Sequence, residues 1–106
     1  MATLAYFFVG VLIANSLPHL IQGASGHAHP TPFASPPGIG LSSPVTNALW
    51  ALANLFGAAA LYHLGIDREP GERIPMGVVS AGFAVTAVSL AWWFGRAKRL
   101  REAGEG

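Results

Sequence analysis

The chain has 106 residues, of which 52% are hydrophobic and 10% charged, with a formal net charge of +1 and no cysteine. A soluble domain carries about a quarter of its residues as charges, so this composition belongs in lipid, and the length leaves room for one domain. The absence of cysteine excludes disulfides, thiolate catalysis and cysteine metal sites. Four of the six basic residues sit in one short tail rather than on a folded face, which argues against nucleic acid as a partner.

Every Asp, Glu, Lys and Arg lies between Asp67 and Glu105. An uncharged stretch of this length is one that a water-facing surface does not tolerate. The first apolar run, about 2–21, reaches the roughly 20 residues that a helix needs to cross about 30 Å of hydrocarbon. No Lys or Arg precedes its apolar core, and the run passes Asn15 without a small-x-small site, which argues against a cleaved leader. Asn15 and His19 are four apart and share a helix face. Pro18 between them removes the backbone bond to the carbonyl of Ala14.

The connection 22–44 has no charged side chain and is studded with Gly and Pro, which forbid a helix or a central strand. Disordered linkers are rich in charge and poor in apolar groups. This one carries Phe33, Ile39 and Leu41, and it reads as a folded cap on or slightly into the membrane. Such backbone is tolerated at depth only where protein or water satisfies it. Phe33 counts as a buried aromatic of that cap. Pro44 suits the first turn of the next helix, with Ser42 or Ser43 as its N-cap.

The second span, 45–66, carries Asn47 and Asn54, seven apart and again on one face. A buried amide or imidazole without a partner costs on the order of 2–7 kcal/mol. Asn15, His19, Asn47 and Asn54, with Ser43 and Phe33 from the cap, are therefore expected to gather in one polar pocket at the loop end. The competing reading makes the asparagines interhelical glue, worth about 0.6–2 kcal/mol each. His63 beside Tyr62 reads as an interfacial residue with its polar tip in water.

The third span, 75–95, follows the short charged turn 67–74 and leads into the tail with Arg96, Lys98, Arg99 and Arg101. Four basic residues in the tail against Arg68 and Arg73 in the turn place the tail inside and the N-terminus outside. Trp50, Trp92 and Trp93 toward the tail face, and Tyr6 and Tyr62 toward the other, fit two interfacial girdles. The expected fold is an all-α membrane protein: three transmembrane helices with a long, ordered Pro/Gly-rich loop between the first two. Small-residue pairs Gly10/Ala14, Ala53/Gly57 and Gly77/Ala81 permit close helix packing within or between copies.

His27 and His29, with His19 as a third nitrogen, are the residues that would hold a metal, an open three-nitrogen set of the kind used by zinc or copper. No carboxylate stands near them as a supporting partner, and the expectation is no cofactor. Enzymatic chemistry has less support, because no nucleophile–base pair, phosphate-cradling glycine loop or haem motif is present.

The string N-x-x-P-H-x-x-x-G-x-x-G at Asn15, Pro18, His19, Gly23 and Gly26, followed by PTPFASPPGIGLSSP and N-x-L-W at Asn47, Leu49 and Trp50, resembles a group of small, uncharacterised bacterial inner-membrane proteins. The resemblance covers about the first half of the chain and implies a bacterial inner-membrane protein with this loop, with no activity to carry over. Two functions follow from the residues. In one, a homo-oligomer binds or passes a small neutral solute or ion at the polar pocket. In the other, the chain is a non-catalytic accessory subunit of a larger membrane complex. The bilayer is the partner common to both.

Overall fold

The structure is a computed structural model that describes residues 2–105. It contains three helices, α1 (Ala2–Ala24), α2 (Pro44–Leu64) and α3 (Met76–Glu105), and no strand among the described residues. Each helix is long and apolar enough to cross a membrane.

The ends of the helices follow from local chemistry. α1 accommodates Pro18 and runs past the expected 21 to Ala24. Gly26, at φ 78°, ends it by reversing the chain, with Gly26 N–H donating to Gly23 O at 3.1 Å and His27 N–H to Gln22 O at 2.8 Å. That pair of bonds closes the last turn in the left-handed manner that glycine permits. α2 begins at Pro44 under an N-cap from Ser43, whose hydroxyl accepts from Thr46 N–H at 3.1 Å. α3 does not stop at 95. It continues through the basic tail for 30 residues, about 45 Å at 1.5 Å per residue, well beyond the hydrocarbon of a bilayer.

α1 is the central helix. It packs against both α2 and α3, and the backbones of those two come no closer than 8 Å between Cα atoms. The α1–α3 crossing is set by glycine on both sides. A Cβ on Gly10 would overlap the carbonyl oxygen of Val79, and a Cβ on Gly82 that of Phe7. Gly23 plays the same part against α2, where a Cβ would stand 2.6 Å from Pro44 O. Of the pairs expected from sequence, Gly10 is in such a contact and Gly57 meets only Leu12 at 3.7 Å, while Gly77 meets nothing within 4 Å. Gly82, which no spacing argument selected, is the true counterpart of Gly10. At the end remote from the loop, Tyr6, Val9, Ala58 and Ile66 form the apolar core, with the rings of Tyr6 and Tyr62 edge to face at 6.4 Å.

The loop 25–43 stands where α2 and α3 fail to meet. His29 and Ser42 pair through both backbone bonds, at 3.2 and 3.0 Å, and bring the two ends of the loop together. Thr31 O accepts from Ala34 and Gly38 N–H, and Pro36 O from Ile39 and Gly40 N–H. Gly38 is at φ 72°, and a Cβ on Gly40 would overlap Ser35 O, so both turns require glycine. Two side chains of α3 tie the loop down: Trp93 Nε1 donates to Gly38 O at 2.9 Å, and Arg101 donates to Ile39 O at 2.7 Å.

Candidate functional site

The polar groups of α1 and α2 meet beneath this loop in two layers. The rear layer is on α2. Asn54 Nδ2 donates to Trp50 O at 2.9 Å, one turn back along its own helix, which turns Asn54 Oδ1 toward α1 to accept from Asn15 Nδ2 at 2.9 Å. About two turns nearer the cap, Asn47 is fully buried. Its Nδ2 faces the carbonyls of His29, Ser42 and Ser43 at 2.9, 3.2 and 3.1 Å. An amide placed against three carbonyls has its NH2 there, because the flipped amide would set oxygen against oxygen. Asn47 Oδ1 therefore accepts, and the partner at 2.8 Å, His19 Nδ1, is the donor. The tautomer of His19 is thereby decided: Nδ1 carries the proton and Nε2 of the neutral ring is bare.

The front layer lines a cavity of about 140 Å³. Asn15 and His19 form its α1 wall. Pro30, Thr31, Pro32 and Gly38 of the loop cover it, and Trp50 of α2 with Leu90, Trp93 and Phe94 of α3 complete it. His19 is only 2% exposed. Its ring meets those of His29 and Phe94 edge to face at 5.3 and 5.9 Å. Thr31 is spent within the loop, its hydroxyl sharing a hydrogen bond with Ser42 and accepting from Phe33 N–H.

The six expected pocket residues thus separate. Asn15 and His19 face the cavity, and Asn47 and Asn54 stand behind them and fix how they present their polar atoms. Ser43 is the α2 cap and takes no part in the lining. Phe33 is a correction. It is 66% exposed and lies edge-on to Trp50 at 5.0 Å on the outside of the cap, because the bonds around Thr31 turn it away from the interior. It is not a buried aromatic, and its removal does not carry a core-sized cost.

The three-histidine set is also corrected. His27 is exposed and pairs with Gln22 Oε1 at 3.1 Å, because the chain reversal at Gly26 folds it back along α1. His19 and His29 alone come together, and among the described residues no three His, Asp or Glu side chains converge. His63 stays with Tyr62, at a ring separation of 4.9 Å.

The sequence reading missed the loop and α3 walls. Trp93 and Phe94 sat in a run read as an interfacial girdle, and nothing in the spacing of Thr31 or Leu90 marks them. Compared with protein-family models, with curated proteins and with solved structures, the chain matches none.

His29 gives the cap a pH dependence. Burial, then the proximity of His19 and of Arg101, pushes its imidazole down to about 4 from an ordinary 6.5, and its Nε2 is buried without a partner. Because the folded state holds this proton less readily than the unfolded chain, the stability that His29 contributes is complete above about 6.5 and is lost as pH falls toward 4. Amide exchange of residues 29–42 is expected to accelerate between pH 6.5 and 4.5, relative to the intrinsic rate, and His29→Asn should flatten that dependence. An unchanged slope in the variant would assign the effect to another group.

Proposed function

We propose that this chain is a polytopic protein of a bacterial inner membrane, with its loop and basic tail on the cytoplasmic face, whose capped cavity binds a small polar solute. The cavity carries the reading. Two polar side chains held in fixed orientation open onto an aromatic-walled space, when glue between helices would need no space at all. The length of α3 and the bond from Arg101 to Ile39 O suit a cap that stands at and beyond the interface, with Trp93 at the boundary.

Passage across the bilayer is a further step that one copy does not provide, since three helices enclose no continuous aqueous path. The outward faces of α2 and α3, including Leu49, Phe56, Val85 and Val88, are apolar and open. They suit lipid or further copies of the chain, and the same faces would serve an accessory subunit docking on a larger complex.

Placement is tested in a chain that has no native cysteine. Gly104→Cys should resist an impermeant thiol reagent in intact cells, while Gly71→Cys, in the opposite turn, should react. The reverse labelling overturns the orientation. Binding is tested by the fluorescence of Trp50 and Trp93 during titration with small polar solutes. Asn15→Leu should abolish the response and leave the melting temperature within a few degrees of the parent, since the lost Asn15–Asn54 bond is worth about 1 kcal/mol. A cavity that answers to no solute, or a response that survives Asn15→Leu, removes the binding reading in favour of docking.

A further inference from the structure

The hydrogen-bond network that holds the cavity also dictates what its polar wall offers. Asn54 Nδ2 is committed to Trp50 O, so Asn54 Oδ1 faces Asn15, and Asn15 must answer with its NH2. Asn15 Oδ1 is left over with no protein partner among the described residues. Asn47 imposes the same logic on His19 by taking the Nδ1 proton, which leaves the Nε2 lone pair. No Nε2 partner is present either, and His19 is 2% exposed in a wall of the cavity. Backbone carbonyls at the far ends of two side-chain chains thus decide that α1 presents two acceptors, Asn15 Oδ1 and His19 Nε2, with the second N–H of Asn15 beside them.

The remaining wall narrows the ligand further. No carboxylate lies in the first 66 residues, and the α3 residues of the lining are Leu90, Trp93 and Phe94, so no countercharge awaits an ion. An uncompensated charge in such surroundings is costly. Trp93 has already used its indole N–H on Gly38 O. The indole N–H of Trp50 has no partner among the described residues, which makes it, with the second N–H of Asn15, a lining side-chain donor still free.

We propose that the cavity recognises a small uncharged solute whose polar end is a primary carboxamide, its NH2 hydrogens shared between Asn15 Oδ1 and His19 Nε2. The spacing fits. Residues four apart on a helix have Cβ atoms about 5–6 Å apart. The two hydrogens of one NH2 group, at about 2.9 Å to each acceptor, span acceptors roughly 5 Å apart. The carbonyl of the same amide accepts from Trp50, and a short alkyl remainder lies against Leu90 and Phe94. This assignment rests on the solute-binding reading above and adds the identity of the polar group.

The test titrates the purified protein in detergent at pH 8 with propionamide, N,N-dimethylpropionamide, propylammonium and propionate, following tryptophan fluorescence and the ¹⁵N resonance of His19 Nε2. Propionamide should quench the fluorescence and shift Nε2 as its lone pair accepts a hydrogen bond. The dimethyl amide, which keeps the carbonyl but has no N–H, should bind at least tenfold more weakly, as should both ions. Asn15→Asp keeps an oxygen acceptor and adds a charge, so it should restore binding of propylammonium while Asn15→Leu binds neither. Equal binding of propionamide and its dimethyl form, or tighter binding of propionate, overturns the carboxamide assignment and leaves a solute site standing. No response to any of the four overturns both.

Discussion

Asn47→Leu is expected to destabilise the protein by about 2–4 kcal/mol and to loosen the loop selectively. Asn47 is fully buried and bonds His19 and three carbonyls at once. The carbonyls of His29, Ser42 and Ser43 each retain a backbone donor, from Ser42, His29 and Asn47 N–H respectively. The larger part of the cost therefore falls on His19 Nδ1–H, a donor left unpaired in a buried position, and on a branched apolar side chain set against the polar ends of the loop. Asn54→Leu should cost only about 1 kcal/mol, since one interhelical bond and one bond within its own helix are lost. Chemical denaturation in micelles and limited proteolysis of residues 25–43 measure the two effects. If both variants unfold alike, with the loop equally protected, Asn47 is ordinary interhelical glue.

Gly10→Ala and Gly82→Ala should each cost about 2–3 kcal/mol, against the direction of helix propensity. Alanine is favoured over glycine in a helix by about 1 kcal/mol, so an open site would gain. At Gly10 and Gly82 the added methyl runs into main-chain atoms of the facing helix, at Val79 and Phe7. A backbone cannot rotate aside as a side chain does, so the helices must separate along the whole crossing, and the loss of packing exceeds the propensity gain. Gly77→Ala, with nothing within 4 Å of the added methyl, is the control and should be neutral or stabilising by a few tenths to 1 kcal/mol. Thermal melting of the three variants in one detergent decides it. A stabilised Gly82→Ala would mean that α1 and α3 do not cross at these glycines.

Much of the site was legible from the residues because helical periodicity is a local property. The four-residue spacing of Asn15 and His19 put both on one face, and the seven-residue spacing of Asn47 and Asn54 did the same on the next helix. The partners they found in each other follow from the cost of leaving such groups alone in an apolar setting. What spacing does not carry is the order of the layers. Whether Asn47 lines a cavity or orients the residue that does depends on where three carbonyls of a loop come to rest. Those carbonyls are placed by the His29–Ser42 pairing and by Trp93 and Arg101, residues more than 50 positions from the loop they hold.

The sequence by itself determined the number of helices, the approximate limits of the first two and the start of the third, the Pro44 start of α2 with Ser42 or Ser43 as its cap, and the polar face of each of the first two. These rest on apolar run length, capping and proline chemistry, which act within a few residues. The tertiary structure alone decided that α1 is central and that Gly82 answers Gly10. It also decided that Phe33 turns outward and His27 folds back along α1, and that α3 supplies the far wall of the cavity. Each of these depends on which faces meet, and in a chain where most faces are equally apolar, it is close backbone fit and a few hydrogen bonds, rather than hydrophobicity, that choose among them.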